Sequence, residues 1–152
     1  MEKLLIVIVG AIFSSSCAPT LNTTSLTPTE QEYLHAIKSM NTTFNVSPEN
    51  SEICWARAQS FIGKYSTMKI QVVSDYSIST YTPVNVGDYD HLSPKYGYSI
   101  NRMPLGDKVE FQVICSSNSP GFFQQVAENN AKILAYFINT GGKMDQFIDK
   151  KF

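Results

Sequence analysis

Arginine is almost missing from this chain. Only Arg57 and Arg102 occur among 152 residues, and the formal net charge at pH 7 is −1. A nucleic-acid binder takes most of its affinity from neutralised phosphates and shows a basic excess. None is present, so the composition argues against a nucleic-acid partner. Charged residues make up 16% of the chain, against about 25% in an average domain. Ser, Thr and Asn fill the gap, which suits a surface outside the cytoplasm. No apolar run approaches the roughly twenty residues a helix needs to cross a bilayer. Also missing are Gly-x-Gly-x-x-Gly, a P-loop Gly-Lys-Ser/Thr and Gly-x-Ser-x-Gly. These mark dinucleotide binding, phosphate cradling and the hydrolase nucleophile elbow. Their absence speaks against the enzyme classes that carry them, and no strong cofactor or metal motif is present.

What is present begins with an export signal over residues 1–16. Lys3 gives a positive start, offset by Glu2, and Leu4 to Phe13 form an apolar stretch. Small residues follow, as in a secretory signal. The run Phe13-Ser14-Ser15-Ser16-Cys17 resembles a bacterial lipobox. That resemblance implies cleavage before Cys17 and lipidation of its sulfur. The sequence departs from the pattern at Ser14, where Leu is usual. Plain secretion and a cytosolic core segment are the competing readings. Residues 17–27 carry no charge and are rich in Thr, Ser, Asn and Pro, as expected of a flexible tether. The residue after the cysteine is Ala18 rather than Asp, which favours the outer membrane, facing the periplasm.

With Cys17 set aside, Cys54 and Cys115 form an even pair. In an oxidising envelope such a pair is expected to bridge. Both fall on apolar faces, Cys54 with Ala58, Phe61 and Ile62, and Cys115 with Val109, Phe111 and Val113. The alternative is a pair of buried free thiols.

Residues 28–152 read as a single α+β domain. Thr27 caps a first helix over 28–40, with Pro28 and Glu30 completing a capping-box start. Ser47-Pro48 opens a second helix to residue 65. Alternation of Met68, Ile70, Val72, Tyr76 and Ile78 predicts one long half-buried strand over 68–81, bent near Ser74-Asp75. Tyr96, Tyr98 and Ile100 mark a second strand, and Val109 to Cys115 a third. Pro104-Leu105-Gly106-Asp107 turns between them. Ser119-Pro120 opens a long last helix that Gly141-Gly142 stops. The expected architecture is α-α-β-β-β-α: two helices, a three-stranded antiparallel meander and a C-terminal helix, with the helices on one sheet face.

The segment 82–95 is long for a connection in a compact domain. Tyr81, Asp88, Tyr89, Asp90 and His91 form the candidate contact surface there. The leading functional reading is a non-enzymatic interaction or assembly module with an envelope protein partner. Two alternatives remain: a small hydrolase or metal-dependent enzyme using Asp88, Asp90 and His91, and a small-ligand carrier. The anchor is the most direct expectation to test. Metabolic labelling with palmitate should mark the wild-type chain and spare Cys17→Ser; label retained by the variant removes the anchor.

Overall fold

The computed structural model describes residues 20–84, 94–142 and 144–152. The expected export signal and Cys17 lie outside them, as do Asp88, Tyr89, Asp90 and His91. The elements run α1 (Pro28–Ser39), β1 (Thr43–Val46), α2 (Pro48–Tyr65), β2 (Ile70–Val73), β3 (Ser77–Thr80), β4 (Tyr96–Leu105), β5 (Lys108–Ser117) and α3 (Pro120–Thr140). Among the described residues no helix is long and apolar enough to cross a membrane.

The class is α+β, but the three-stranded meander is wrong. The sheet has five antiparallel strands in the order β1-β5-β4-β3-β2. The first added strand, β1, occupies the connection between α1 and α2. It pairs with β5, and the rings of Phe44 and Phe111 stack at 5.6 Å. The second comes from the long strand, which is two strands and a tight turn. Ser74 makes that turn: its N–H donates to Ser77 O at 2.8 Å, and its Oγ accepts from Tyr76 N and Ser77 N. A serine side chain that satisfies backbone N–H groups favours a turn over a continued ladder. The β4–β5 hairpin forms where the sequence put it. Leu105 pairs with Lys108, and Gly106 takes a left-handed φ of 72°, the residue type such a two-residue loop demands.

The chain also joins the fold earlier than a tether ending at residue 27 implies. Thr20 bridges Lys151, and Leu21 N donates to Lys151 O at 2.9 Å. A 3-10 turn follows at Thr23–Ser25, and Leu21 and Leu26 pack on the core. The capping box of α1 then forms as read. Glu30 Oε2 accepts from Thr27 N at 2.8 Å, and Thr27 Oγ1 accepts from Glu30 N at 3.3 Å.

Helices α2 and α3 lie side by side on one sheet face, and α1 packs on α3. The core between them is apolar and aromatic. Phe61 of α2 meets Tyr98 of β4 at 5.4 Å and Phe137 of α3 at 6.3 Å. Phe61, Phe111, Ile133, Leu134 and Ile138 are fully buried. Each such side chain gives about 1.5–3 kcal/mol. Beyond α3, Phe147 closes the core, and two buried asparagines stitch the last residues down. Asn129 Nδ2 donates to Lys150 O at 3.0 Å, while Asn130 exchanges two bonds with Asp149.

The expected bridge between Cys54 and Cys115 is not made; both are free thiols. The helix pitch explains why. Phe61 is the α2 residue at the level of Tyr98, and Tyr98 is the β4 partner of Cys115. Cys54 lies seven residues before Phe61, about 10 Å along the helix. A disulfide needs Cα atoms within about 7 Å. Sharing a core does not place two residues at one height in it.

Arg102 ties the sheet to α2. Its guanidinium lies over the Trp55 ring at 5.0 Å and meets Glu52 at 2.8 Å, and its Nε donates to Asp75 O in the β2–β3 turn. The arginine side chain is 11% exposed and the Glu52 side chain 79%. The exposed carboxylate is therefore the lesser partner. Arg102→Ala should lower unfolding free energy by about 2 kcal/mol, through lost stacking and a lost charged hydrogen bond. Glu52→Ala should cost below about 1 kcal/mol. Urea melts of the two variants check the difference, and equal losses would place the stabilisation in the ion pair.

Candidate functional site

The sequence assigns Ile70, Val72 and Tyr76 to a buried strand face, and the structure leaves all three in solvent. Ile70 is 46% exposed, Val72 44%, Val73 58% and Tyr76 59%. The register shows how this arises. Ile70 pairs with Thr80 and Val73 with Ile78, both buried, so these two side chains stand on the helix side of the sheet. Val72 pairs with Ser79 and stands on the open side. A bulge between Ile70 and Val72 shifts the two-residue period, so the two even-numbered residues point to opposite faces. Helices α2 and α3 cover β1, β5 and β4, and β3 still buries Ile78. β2 is therefore apolar on both faces, and among the described residues no helix covers either of them. Among the described residues no strand pairs with its outer side.

The chain leaving β3 extends this surface. Tyr81 N donates to Lys69 O at 2.9 Å. Residues 81–83 then cross the open sheet face over Gly97. A Cβ there would meet Pro83 Cδ at 2.7 Å and Tyr81 O at 2.9 Å, so only glycine admits the crossing. Pro83 is buried as a result, while Tyr81 is 51% exposed and Val84 62%. Thr67, Met68, Lys69, Tyr81, Val84 and Lys95 line a shallow, mainly apolar groove of about 390 Å³. On the far side of the 85–93 segment, Lys95 N donates to Asn118 Oδ1 at 3.0 Å, and Asn118 N donates to Lys95 O at 3.3 Å.

Of the sequence candidates, then, Tyr81 sits at the rim of this groove. Asp88, Tyr89, Asp90 and His91 fall outside the described residues, so their acid–imidazole chemistry has no geometry here. Among the described residues no three His, Cys, Asp or Glu side chains gather as a metal site. The sequence reading missed β2 as a surface. Its one available signal was the pair Val72-Val73, which breaks strict alternation and marks a strand apolar on both sides.

Neither core cysteine is set up as a nucleophile. Burial pushes the Cys115 thiol well above its ordinary range; a hydrogen bond with Tyr98 opposes this less strongly. Burial likewise raises Cys54, and the nearby Arg57 charge opposes it. Thiols held protonated are poor nucleophiles and poor metal ligands. Tyr96 and Tyr98 are buried in the core beside Cys115, and burial is also what raises their phenols.

Comparison with known proteins finds no matching family model, no similar curated protein and no similar solved structure. The thiol assignment gives a direct check. Alkylation of the unreduced, denatured chain should label the peptides carrying Cys54 and Cys115. Alkylation of the native chain at neutral pH should leave both largely unlabelled. A pair resistant to alkylation after unfolding, until a reductant is added, would restore the bridge.

Proposed function

We propose that this chain is a small envelope lipoprotein, anchored through Cys17 to a bacterial membrane, that serves as a non-enzymatic interaction module. The outer membrane, with the domain facing the periplasm, is the proposed site. The partner is a protein that adds an extended segment along β2. The observation that supports this is the two-sided apolar exposure of Ile70, Val72 and Val73 on the uncovered edge of the sheet.

The physics of strand addition fits that edge. An edge strand offers a row of backbone donors and acceptors to a second chain. Main-chain bonds supply affinity in this mode, and pockets for alternate side chains supply specificity. Here the groove beside Tyr81 and Val84 receives the side chains on one flank. An edge this apolar is also a hazard, because any strand of another chain can pair with it. Two features restrain promiscuous pairing: the bulge at Ile70/Val72 and the charge of Lys69 at the strand's start. Both are recognised edge protections. They leave a short template that rewards a matched partner.

A photo-crosslinking residue placed at Val73, Tyr76 or Tyr81 in cells should capture one protein. The same residue at Gln59, on the exposed side of α2, should capture none. Val72→Lys with Val73→Lys should reduce capture from Tyr81 at least about tenfold, since two charges would enter the paired edge. Adducts that are absent at all three edge positions, or equal at Gln59, defeat the proposal.

A further inference from the structure

The outer edge of β2 has a register of its own. In an antiparallel ladder, a residue that exchanges no bonds with one neighbour turns its N–H and C=O to the other side. Tyr81 N donates to Lys69 O at 2.9 Å, and Ser74 N donates to Ser77 O at 2.8 Å. These are the bonded pairs at the two ends of the β2–β3 ladder. Ile70 pairs with Thr80 and Val73 with Ile78, one step inside each end. Ile70 and Val73 therefore both turn their backbone groups outward. The bulge between them also puts both half-exposed side chains on the helix side of the sheet. Without it, residues three apart would stand on opposite faces and serve opposite edges. Charge is arranged along the same segment. Within residues 66–80 the charged side chains are Lys69 and Asp75, one at each end of β2. Both residues are exposed. Behind the turn, Arg102 and Glu52 pair with each other.

We infer that the strand added to β2 is the β2 of a second copy of this chain, antiparallel to it about a twofold axis between Gln71 and Val72. The inference rests on β2 as a strand-addition site and names the strand that is added. Ile70 of each copy then opposes Val73 of the other, and the two pairs exchange about four main-chain bonds. Their side chains meet on one face, as a self-complementary contact requires. The charged ends come together as well. Lys69 of one copy lies one place from Asp75 of the other, within reach of a long side chain. A parallel copy in register would set Lys69 against Lys69. A strand of another sequence would have to match the bulge and carry an acid at this place, and a second β2 does both. Three half-exposed aliphatic side chains per copy fall well short of the roughly 800 Å² a side in a standard interface. The pair is therefore weak and exchanges its members.

Sedimentation equilibrium of the full chain in mild detergent, carried to about 1 mM, reads such a weak pair. The wild type should self-associate to a dimer and no further. Lys69→Glu should weaken the dimer at least about tenfold, because two carboxylates then face each other at both ends. Lys69→Glu with Asp75→Lys restores opposite signs and should bring the association back to within about threefold of wild type. Melting temperatures should stay unchanged in both variants. In an equal mixture of light and heavy isotope-labelled wild-type chain, a zero-length carbodiimide should join Lys69 of one mass to Asp75 of the other. A chain that stays monomeric, a dimer insensitive to Lys69→Glu, or a double variant that fails to recover overturns the inference. Strand addition is scored separately, by the photo-crosslinking in cells. Adducts at Val73 and Tyr81 with a different protein, from a chain that stays monomeric, remove the second copy and leave strand addition standing. A monomeric chain with no edge adduct removes both.

Discussion

Two helices do not cover five strands. Packed helices lie 8–10 Å apart, and strands about 4.8 Å apart. A pair of helices therefore runs out about one strand short of this sheet. α3 takes β5 and the edge strand β1, α2 reaches β4 and β5, and among the described residues β2 makes its main contact with β3. The aromatic core fixes where the shortfall falls. Phe61, Tyr98 and Phe137 hold both helices over the β5–β4 half of the sheet. The exposure of Ile70, Val72 and Val73 follows from that placement. It requires no local irregularity beyond the bulge.

Much of the fold is legible because it depends on neighbours in sequence. The capping box of Thr27 and Glu30, the amphipathic faces of α2 and α3, and the turn at Gly106 are all local devices. β1 is not legible because four residues carry too little periodicity to separate a strand from a connection. The β2–β3 turn hides for a different reason. The bulge and the three residues Ser74-Asp75-Tyr76 each shift the phase, yet apolar residues still recur at even positions, so two strands read as one. The site is harder still. An apolar residue on a strand looks the same in sequence whether or not a helix lies over it. The exposure of Tyr81 is legible because Pro83 ends the strand beside it. The loss of cover over β2 is not, since it depends on how far the helices reach. The free state of Cys54 and Cys115 in the structure is hidden in the same way: phase says which face a residue occupies and is silent on its height along that face.

The scarcity of arginine acquires a meaning once the structure is seen. Both arginines are committed to holding the fold. Arg57 donates to the carbonyls of Ile138 and Asn139, at 3.0 and 3.2 Å, and so closes the C-terminal end of α3. Gly141 is favoured there because its φ of 72° is left-handed, and a Cβ would also lie 2.9 Å from the guanidinium. Arg102 joins a turn, an indole and a carboxylate with one planar group. Lysine, a point charge without the planar fork, would not make these contacts. The flexible lysines are left for the surface.

The contact between Thr20 and Lys151 has a mechanical side. Among the described residues, a pull on the N-terminal side of the chain is met first at the Thr20–Lys151 bridge, where Leu21 N donates to Lys151 O. Behind that bond stand Asn129 and Asn130, which transmit the load to the middle of α3. The strain therefore spreads first through helix packing, and the sheet lies behind it. A partner gripping β2 would draw against the domain's aromatic core, and the weakest link under tension would be the stitched ends of the chain. Under force, this protein should let go of its own terminus before its sheet comes apart.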